Sequence, residues 1–241
     1  MSFILYHGIE DKTVQMLNQF FIDRRQNTGQ MGSVTHVKDE KGLNEALIAM
    51  AFDCLFFEQK HIPDSPIEWL KKFRNTRPNI KGKMILLGDE PDRLQVLSYL
   101  EAGWTDYIYT PPDRPLLVEK VSLFTTGKRS SERQVYSMSL NEPADVAKPG
   151  TIVEMSEFDC HVKSLYPAKL DEVMIIYTNA LGENNQKAGS AIARCYQSNP
   201  HPNAIGFFLN SYNFVGVTPD VLQNIRNSLR KTYVAGKGPK K

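Results

Sequence analysis

The stretch SYLEAGWTDYIYTPPDRPLLVEKV, residues 98–121, carries the clearest fold signal in the chain. It holds the end of a helix predicted over residues 91–102, a short apolar strand over 106–110 and the start of a second helix over 113–124. Gly103 and the prolines at 111–112 separate these elements, because glycine and proline interrupt regular structure. A helix, a buried strand and another helix in this order indicate an α/β unit.

The residues before this stretch repeat the same alternation. Helices are predicted at 13–25, 42–51 and 65–75, and short apolar strands at 3–6, 33–37, 54–57 and 83–87. Strands that are apolar throughout and alternate with helices are typical of a parallel sheet covered on both faces. The sequence therefore predicts a five-stranded doubly wound sheet, with any site at the carboxyl ends of its strands.

From residue 134 onward, alternating apolar and polar residues replace the helical pattern. Strands are predicted over 134–140, 151–165, 172–178, 189–197 and 204–210, followed by a helix over 219–234. Several short strands at regular spacing indicate a small β-barrel or sandwich, with the C-terminal helix closing one end. The predicted fold class is thus α/β followed by β, with one domain over residues 1–126 and a second over 127–241.

The composition narrows the functional classes. With 29 Lys and Arg against 27 Asp and Glu, the net charge is +2, which gives no general attraction to nucleic-acid polymers or membranes. The three cysteines, Cys54, Cys160 and Cys195, suit neither a disulfide framework nor a zinc site. No apolar run is long enough to span a membrane.

We therefore expect a cytoplasmic protein without a bound metal. No nucleophile–base pair stands out, so we also expect that it is not an enzyme.

The stretch at 98–121 resembles the end of a response-regulator receiver domain, in which an alanine–glycine pair precedes the last strand and a proline turn precedes the last helix. The resemblance covers about half of the chain. It implies a phosphorylation site at the strand ends, but each expected residue is replaced. His7 and Gly8 stand for the acidic pair that holds magnesium, Glu58 for the phosphoacceptor aspartate, Gly88 for a hydroxyl residue and Thr110 for a lysine. Because phosphoryl transfer depends on cations that absorb the developing charge, we expect a pseudo-receiver that cannot be phosphorylated.

Two interpretations of Glu58 remain open at this point. Its carboxylate can imitate the charge of a phosphorylated aspartate, or it can be a solvated loop residue after a strand. His7 is likewise expected to be a loop histidine with its hydrogen bonds satisfied.

The receiver resemblance also implies a contact surface for a homodimer. In receivers the last two helices and the strand between them often pair subunits. Here that face would include Arg93, Tyr99, Tyr109, Arg114 and Lys120, and it is rich in the arginine and aromatic residues that interfaces favour. A protein partner and a homodimer are therefore expected.

The second half carries a different resemblance. Arg129 and Arg133 stand four residues apart in RSSER, just before the first predicted barrel strand, and Glu154, Ser156 and Asp159 lie in EMSEFD. Together with the strand-rich region that follows, these residues resemble a PilZ domain, a family that binds the bacterial second messenger cyclic di-GMP. The Arg-x-x-x-Arg motif matches in full, whereas only the serine of the second motif, Asp/Asn-x-Ser-x-x-Gly, is retained.

The resemblance implies a site for cyclic di-GMP as a candidate ligand. Arginine binds phosphate and guanine edges with paired donors, and Ser156 can donate to a phosphate. Asp159 adds a negative charge close to a dianionic ligand, and repulsion at such a distance costs about 1–4 kcal/mol. We therefore expect a non-catalytic signalling protein of the cyclic di-GMP type, and the alternative is an adaptor that binds other proteins without any ligand.

Overall fold

The computed structural model describes residues 1–89, 92–127, 138–144, 150–182 and 189–236, and it divides the chain into two compact units, Met1–Arg133 and Gln134–Lys241. In the N-terminal unit, strands and helices alternate along the chain. They are β1 (Ser2–His7), α1 (Asp11–Thr28), β2 (Gly32–Val37), α2 (Glu40–Ala49), β3 (Cys54–Glu58), α3 (Pro66–Thr76), β4 (Lys83–Gly88), α4 (Arg93–Glu101), β5 (Asp106–Tyr109) and α5 (Arg114–Thr126).

The five strands of this unit form one parallel sheet in the order β2-β1-β3-β4-β5. The order reverses direction between β1 and β3, and such a switch point is where open α/β sheets place their sites. The predicted five-stranded parallel sheet is confirmed, and its strands and helices lie where the apolar runs and helical patterns indicate.

Each face of the sheet has its own apolar layer. Ile4, Tyr6, Cys54 and Phe56 point toward one face and pack in a buried cluster with residues of α1 and α5. Phe57 points to the opposite face, where its ring lies 4.8 Å from that of Trp69 and 5.9 Å from that of Trp104. Because consecutive strand residues alternate between faces, an uninterrupted apolar strand is buried on both sides.

Four of the five α-helices of this unit begin at a side-chain cap, and α1 begins without one. The Ser65 hydroxyl accepts the backbone N–H of Glu68 at 3.3 Å, and Pro66 occupies the first turn. Asp39, Asp92 and Asp113 cap α2, α4 and α5 in the same way. A side-chain acceptor at this position satisfies a backbone donor that has no partner within the helix.

The C-terminal unit consists of β6 (Met138–Ala144), β7 (Gly150–Met155), β8 (Asp159–Ser164), β9 (Val173–Thr178), β10 (Gly189–Pro200), β11 (Phe208–Val215) and α6 (Pro219–Gly236). The six strands form one sheet in the order β6-β7-β8-β11-β10-β9, and every pair is antiparallel. The sheet is curled, since β6 and β9 at its two ends come within 8 Å of each other between Cα atoms. Among the described strands β6 and β9 form no ladder, so the predicted barrel is observed as a partly open one.

One predicted strand is wrong. Residues 151–165 were expected to form a single alternating strand, but they form the hairpin of β7 and β8 with a turn at 156–158. The Ser156 N–H donates to the Asp159 carbonyl at 2.9 Å and closes the turn. The turn contains neither glycine nor proline, so the sequence carries no strong turn signal at this point.

Candidate functional site

The carboxyl edge of the parallel sheet brings the replaced receiver positions together. β1 ends at His7, β3 at Glu58 and β4 at Gly88, and the register places His7 beside Phe57 and Gly88 beside Tyr109. Gly8 and Thr110 directly follow β1 and β5. The positions identified by the receiver resemblance therefore share one edge, as their places at the strand ends predict.

Glu58 is a buried residue at this edge, with 1% of its surface exposed. Its Oε1 accepts hydrogen bonds from the Tyr6 hydroxyl and, at 2.9 Å, from the backbone N–H of Glu10. Its Oε2 lies 3.2 Å from His61 Nε2 and 3.5 Å from Lys60 Nζ. The expectation of a solvated loop residue is therefore wrong. Glu58 is the last residue of β3, and the hydrogen bonds to Tyr6 and Glu10 hold its side chain inside.

These contacts determine the charge of Glu58. Burial raises the pKa of its carboxyl, but the hydrogen bonds from Tyr6 and from the backbone of Glu10 and Ile9 outweigh burial, so the pKa lies below its ordinary value of 4.5. Burial, and then the neighbouring Glu58, raise the pKa of Tyr6. At neutral pH the ionised Glu58 carboxylate therefore accepts a hydrogen bond from the protonated Tyr6 hydroxyl. Such a hydrogen bond stabilises a buried negative charge.

Gly8 makes room for the Glu58 side chain. A Cβ atom at position 8 would lie 2.6 Å from Glu58 Cγ and 2.7 Å from its Oε1. Such distances are well inside van der Waals contact, so any side chain at position 8 would displace Glu58. The folded Glu58 side chain thus occupies the space beside position 8, where the receiver family has an acidic residue.

At the end of β4, neighbouring side chains also occupy the space into which a side chain at position 88 would extend. A Cβ atom at position 88 would lie 2.5 Å from the Tyr107 hydroxyl and 3.1 Å from Gln59 Cβ. Gln59 accepts from Tyr107 and donates to the Tyr99 hydroxyl, both at 3.4 Å. At the end of β5, the Thr110 hydroxyl donates to Asp89. The carboxyl edge is therefore closed by protein side chains at both positions where the family has catalytic groups.

His7 is a buried strand residue, so its expected place in a loop is wrong. Its ring centroid lies 6.4 Å from that of His61 and 5.9 Å from that of Phe57. Burial, and then the nearby His61, lower the pKa of His7, which favours the neutral imidazole. Within the described residues, His7 Nδ1 has no hydrogen-bond partner, and His61 Nε2 approaches Glu58 without hydrogen-bond geometry. No group of three or more His, Cys, Asp or Glu side chains in the described residues is arranged to hold a metal ion.

Three of the five residues named for the predicted dimer surface are buried. Tyr99, Tyr109 and Lys120 are 8%, 7% and 4% exposed. The tyrosines pack against Tyr107 at ring distances of 5.9 and 5.1 Å, and Lys120 forms a buried ion pair with Asp106. Arg114 is exposed and lies 3.4 Å from Asp23, while the side chain of Arg93 falls outside the described residues. Three of the five predicted contact residues are thus interior residues.

In the C-terminal unit, three of the five candidate ligand residues lie on the β7–β8 hairpin. Glu154 is a partly exposed residue of β7 that pairs with Ser139 on β6 and His161 on β8. Ser156 and Asp159 lie at the turn and are 1% and 2% exposed. Arg129 and Arg133 fall outside the described residues.

Ser156 and Asp159 hold each other in place. The Ser156 hydroxyl donates to Asp159 Oδ1 at 2.5 Å and accepts the backbone N–H groups of Phe158 and Asp159 at 3.1 and 3.2 Å. Asp159 Oδ2 accepts from the Tyr196 hydroxyl at 3.1 Å. The Ser156 oxygen therefore makes these hydrogen bonds within the turn. The hydrogen bonds from Ser156 and Tyr196 stabilise the carboxylate of Asp159.

Sequence reasoning missed Tyr6, Gln59 and Tyr196, which complete the two sites. Tyr6 is an apolar-looking strand residue, and its partner Glu58 is 52 residues away. Tyr196 reaches Asp159 because β10 has an irregularity between Cys195 and Gln197. Neither contact can be predicted from the residues that lie next to it in the sequence. The Ser-x-x-Asp spacing of residues 156–159 is a turn signal that could have been recognised.

Comparisons with solved structures found proteins that are each similar to about half of this chain. No family model matches the chain, and no curated protein matches it. A two-component response regulator from Clostridium difficile is 18% identical over 52% of this chain and 95% of its own, with a TM-score of 0.42. The receiver domain of the Francisella response regulator 1452 is 19% identical over 52% and 96%, also with a TM-score of 0.42. An inhibitor of motility from Bacillus subtilis is 11% identical over 45% of this chain and 53% of its own, with a TM-score of 0.37.

The strand order of the N-terminal unit, β2-β1-β3-β4-β5, is by itself that of a doubly wound sheet of the flavodoxin type. In the part of the chain that the structure describes, no helix is long and apolar enough to cross a membrane.

Proposed function

We propose that this protein is a non-catalytic bacterial signalling protein whose receiver-like unit works without phosphorylation and whose C-terminal unit binds cyclic di-GMP. The observation that carries the first part is the buried Glu58 carboxylate, which Tyr6 and Glu10 hold against Gly8. A phosphoacceptor must be open to the incoming phosphoryl donor and close to a cation that neutralises the transferring group. Glu58 is enclosed, and no group of three or more His, Cys, Asp or Glu side chains in the described residues is arranged beside it to bind magnesium.

Incubation with magnesium and a small-molecule phosphodonor tests this part. We expect the intact mass to stay unchanged, because the Glu58 oxygens are enclosed. The variant Glu58→Asp, which supplies the acceptor residue of the receiver family, is expected to remain unlabelled as well, since the acidic pair and the lysine are still missing. Magnesium-dependent gain of one phosphoryl group by the unchanged protein would contradict the proposal.

The β7–β8 hairpin supports the cyclic di-GMP part. The hairpin brings the three positions of the second motif together at one end of two paired strands, and its turn is fixed by internal hydrogen bonds. The hydrogen bonds from Ser156 and Tyr196 to Asp159 lessen the repulsion that its charge would exert on a dianionic ligand. In this proposal Arg129 and Arg133 bind the phosphates and guanines, and Glu154 accepts from a guanine edge. Ser156 and Asp159 shape the wall of the site.

The adaptor remains the second candidate, and a specific observation favours it. The Ser156 hydroxyl is buried and already makes three hydrogen bonds, so direct donation to a ligand phosphate requires that the turn rearrange. An adaptor needs no such rearrangement, because only its surfaces matter.

Calorimetric titration with cyclic di-GMP separates the two candidates. If the ligand binds, Arg133→Ala is expected to weaken the affinity about tenfold or more, because a charge-assisted hydrogen bond contributes about 1.5–3 kcal/mol. Arg230→Ala is the matched control, since Arg230 is an exposed arginine on α6 and its loss changes the net charge equally. No heat and no thermal stabilisation at high ligand concentration would support the adaptor.

A further inference from the structure

A buried arginine lies at the amino edge of the parallel sheet, the edge opposite to Glu58. Arg24 belongs to the last half of α1 and is only 9% exposed. Arginine is seldom buried to this degree without a charged partner, because removing a cation from water is costly unless an anion compensates it. The groups that contact Arg24 therefore show whether its charge is compensated within the protein.

All the groups that hold the Arg24 guanidinium are neutral. Nε donates to Gln30 Oε1 at 3.0 Å, Nη2 donates to the same oxygen, and Nη1 lies 3.4 Å from Thr125 Oγ1. The ring of Phe20 lies 5.8 Å from the guanidinium carbon. A guanidinium has five N–H groups, so one on each terminal nitrogen is left over. No carboxylate of the described residues pairs with Arg24.

Arg24 lines a cavity of about 470 Å³ between the end of α1, the end of α5 and the starts of β1 and β2. The other lining residues are Met1, Ser2, Gly29, Gln30, Met31, Thr125 and Thr126. None of them is acidic, and Ser2 adds a neutral hydrogen-bond donor. The volume is within the range of small-ligand sites.

We propose that this cavity binds a small oxyanion of the phosphate or carboxylate type, with Arg24 as the charged residue that holds it. The two remaining N–H groups lie on separate terminal nitrogens, which suits the paired oxygens of such a group. Arg24 lies near the C-terminal end of α1 and contacts Thr125 near the end of α5, and each helix end carries only a partial negative charge. These partial charges belong to peptide dipoles, so the guanidinium has no ionic partner among the described residues.

Thermal unfolding and calorimetry with inorganic phosphate, sulfate and acetate, each at constant ionic strength set with sodium chloride, test the proposal. We expect a saturable rise in Tm with at least one of these anions, as for any ligand that binds only the folded state. Phosphate and sulfate acting without acetate would identify a tetrahedral ligand, and acetate acting alone would identify a carboxylate. In Arg24→Met the affinity for the active anion should fall about tenfold or more, because charge-assisted hydrogen bonds are lost.

Two further variants keep the test decisive. Lys12→Met removes an exposed charge at the other end of α1, and its anion affinity should match that of the unchanged protein. Gln30→Ala removes the neutral acceptor that competes for the guanidinium, so anion binding should become several-fold tighter, and this variant decides the matter if Arg24→Met does not fold. A Tm that responds to all salts alike, or a saturable response that survives in Arg24→Met, overturns the proposal, as does an unchanged affinity in Gln30→Ala.

Discussion

The buried position of the Glu58 carboxylate depends on two features: the length of the Glu58 side chain and the absence of a side chain at Gly8. The Glu58 side chain bends over Gly8 and reaches the Tyr6 hydroxyl on the neighbouring strand. An aspartate is one methylene shorter, and a residue with a Cβ at position 8 would close the path. The sequence predicts that a carboxylate ends β3, but not that it is buried, because its partner Tyr6 is distant along the chain and looks like an ordinary core aromatic.

Replacement of Gly8 by alanine tests whether the free space at position 8 allows Glu58 to bond with Tyr6. The new methyl group would push Glu58 away from Tyr6 and Glu10, and the unfolding free energy should fall by about 1–3 kcal/mol, the cost of leaving buried polar groups without partners. Urea denaturation measures the change. Gly42→Ala on α2 is the control, because its Cβ would meet no atom closer than 3.3 Å and alanine favours a helix over glycine by about 1 kcal/mol, so its stability should not fall. Equal stabilities of both variants would contradict the pairing.

The pH dependence of stability should reveal both buried groups of this edge. The pKa of Glu58 is lowered in the folded protein, so its contribution is complete above its ordinary value of 4.5 and is lost as pH falls through the folded value. The pKa of His7 is also lowered, from 6.5, so the unfolded chain takes up a proton first and stability declines as pH falls below 6.5. We expect unfolding free energy to decrease in two steps on acidification.

Two variants assign these steps. Glu58→Gln should lose the step below pH 4.5, since glutamine keeps the acceptor for Tyr6 but does not titrate. His7→Gln should lose the step that begins at 6.5 and keep the other. Denaturation curves at closely spaced pH values measure both. An acid slope that is the same in all three proteins would show that neither group is responsible.

At the scale of elements, the pattern of apolar residues predicts the parallel sheet more reliably than the antiparallel one. β1, β3, β4 and β5 are mainly apolar runs, and helix caps such as Ser65 mark where four of the helices begin; both signals are local. In the second unit the alternation of residues 151–165 continues through the turn, so the pattern alone does not show where β7 ends. The turn is made by hydrogen bonds between Ser156 and Asp159, which depend on side-chain chemistry rather than on hydrophobicity.

The Ser156 hydroxyl should therefore be a stabilising group in the hairpin. In Ser156→Ala two buried backbone N–H groups, those of Phe158 and Asp159, lose their acceptor, and we expect the unfolding free energy to fall by about 1–2 kcal/mol. Thermal or urea unfolding measures it. Ser98→Ala on the exposed side of α4 is the control, with an expected change within about 0.5 kcal/mol. A neutral Ser156→Ala would mean that the backbone alone specifies the turn.

At the scale of the whole molecule, the first unit carries two distinct environments on one sheet. Its carboxyl edge is closed around an anionic side chain, Glu58, whereas its amino edge holds a buried cation, Arg24, beside an open cavity. The carboxyl edge is thus filled, and the unfilled space lies at the amino ends of the strands. If the unit binds a small anion, the geometry favours the edge that receiver domains do not use for phosphorylation.

The N-terminal unit has an apolar core of its own, which leads to a last prediction. Its sheet is covered by its own helices, with α1 and α5 on one face and α3 on the other. About 125 residues are enough to bury such a core. Residues 1–127 expressed alone should therefore unfold in one cooperative transition, with near-ultraviolet circular dichroism from the packed Trp69 and Trp104. Loss of that signal together with a non-cooperative transition would show that the core described here depends on the rest of the chain.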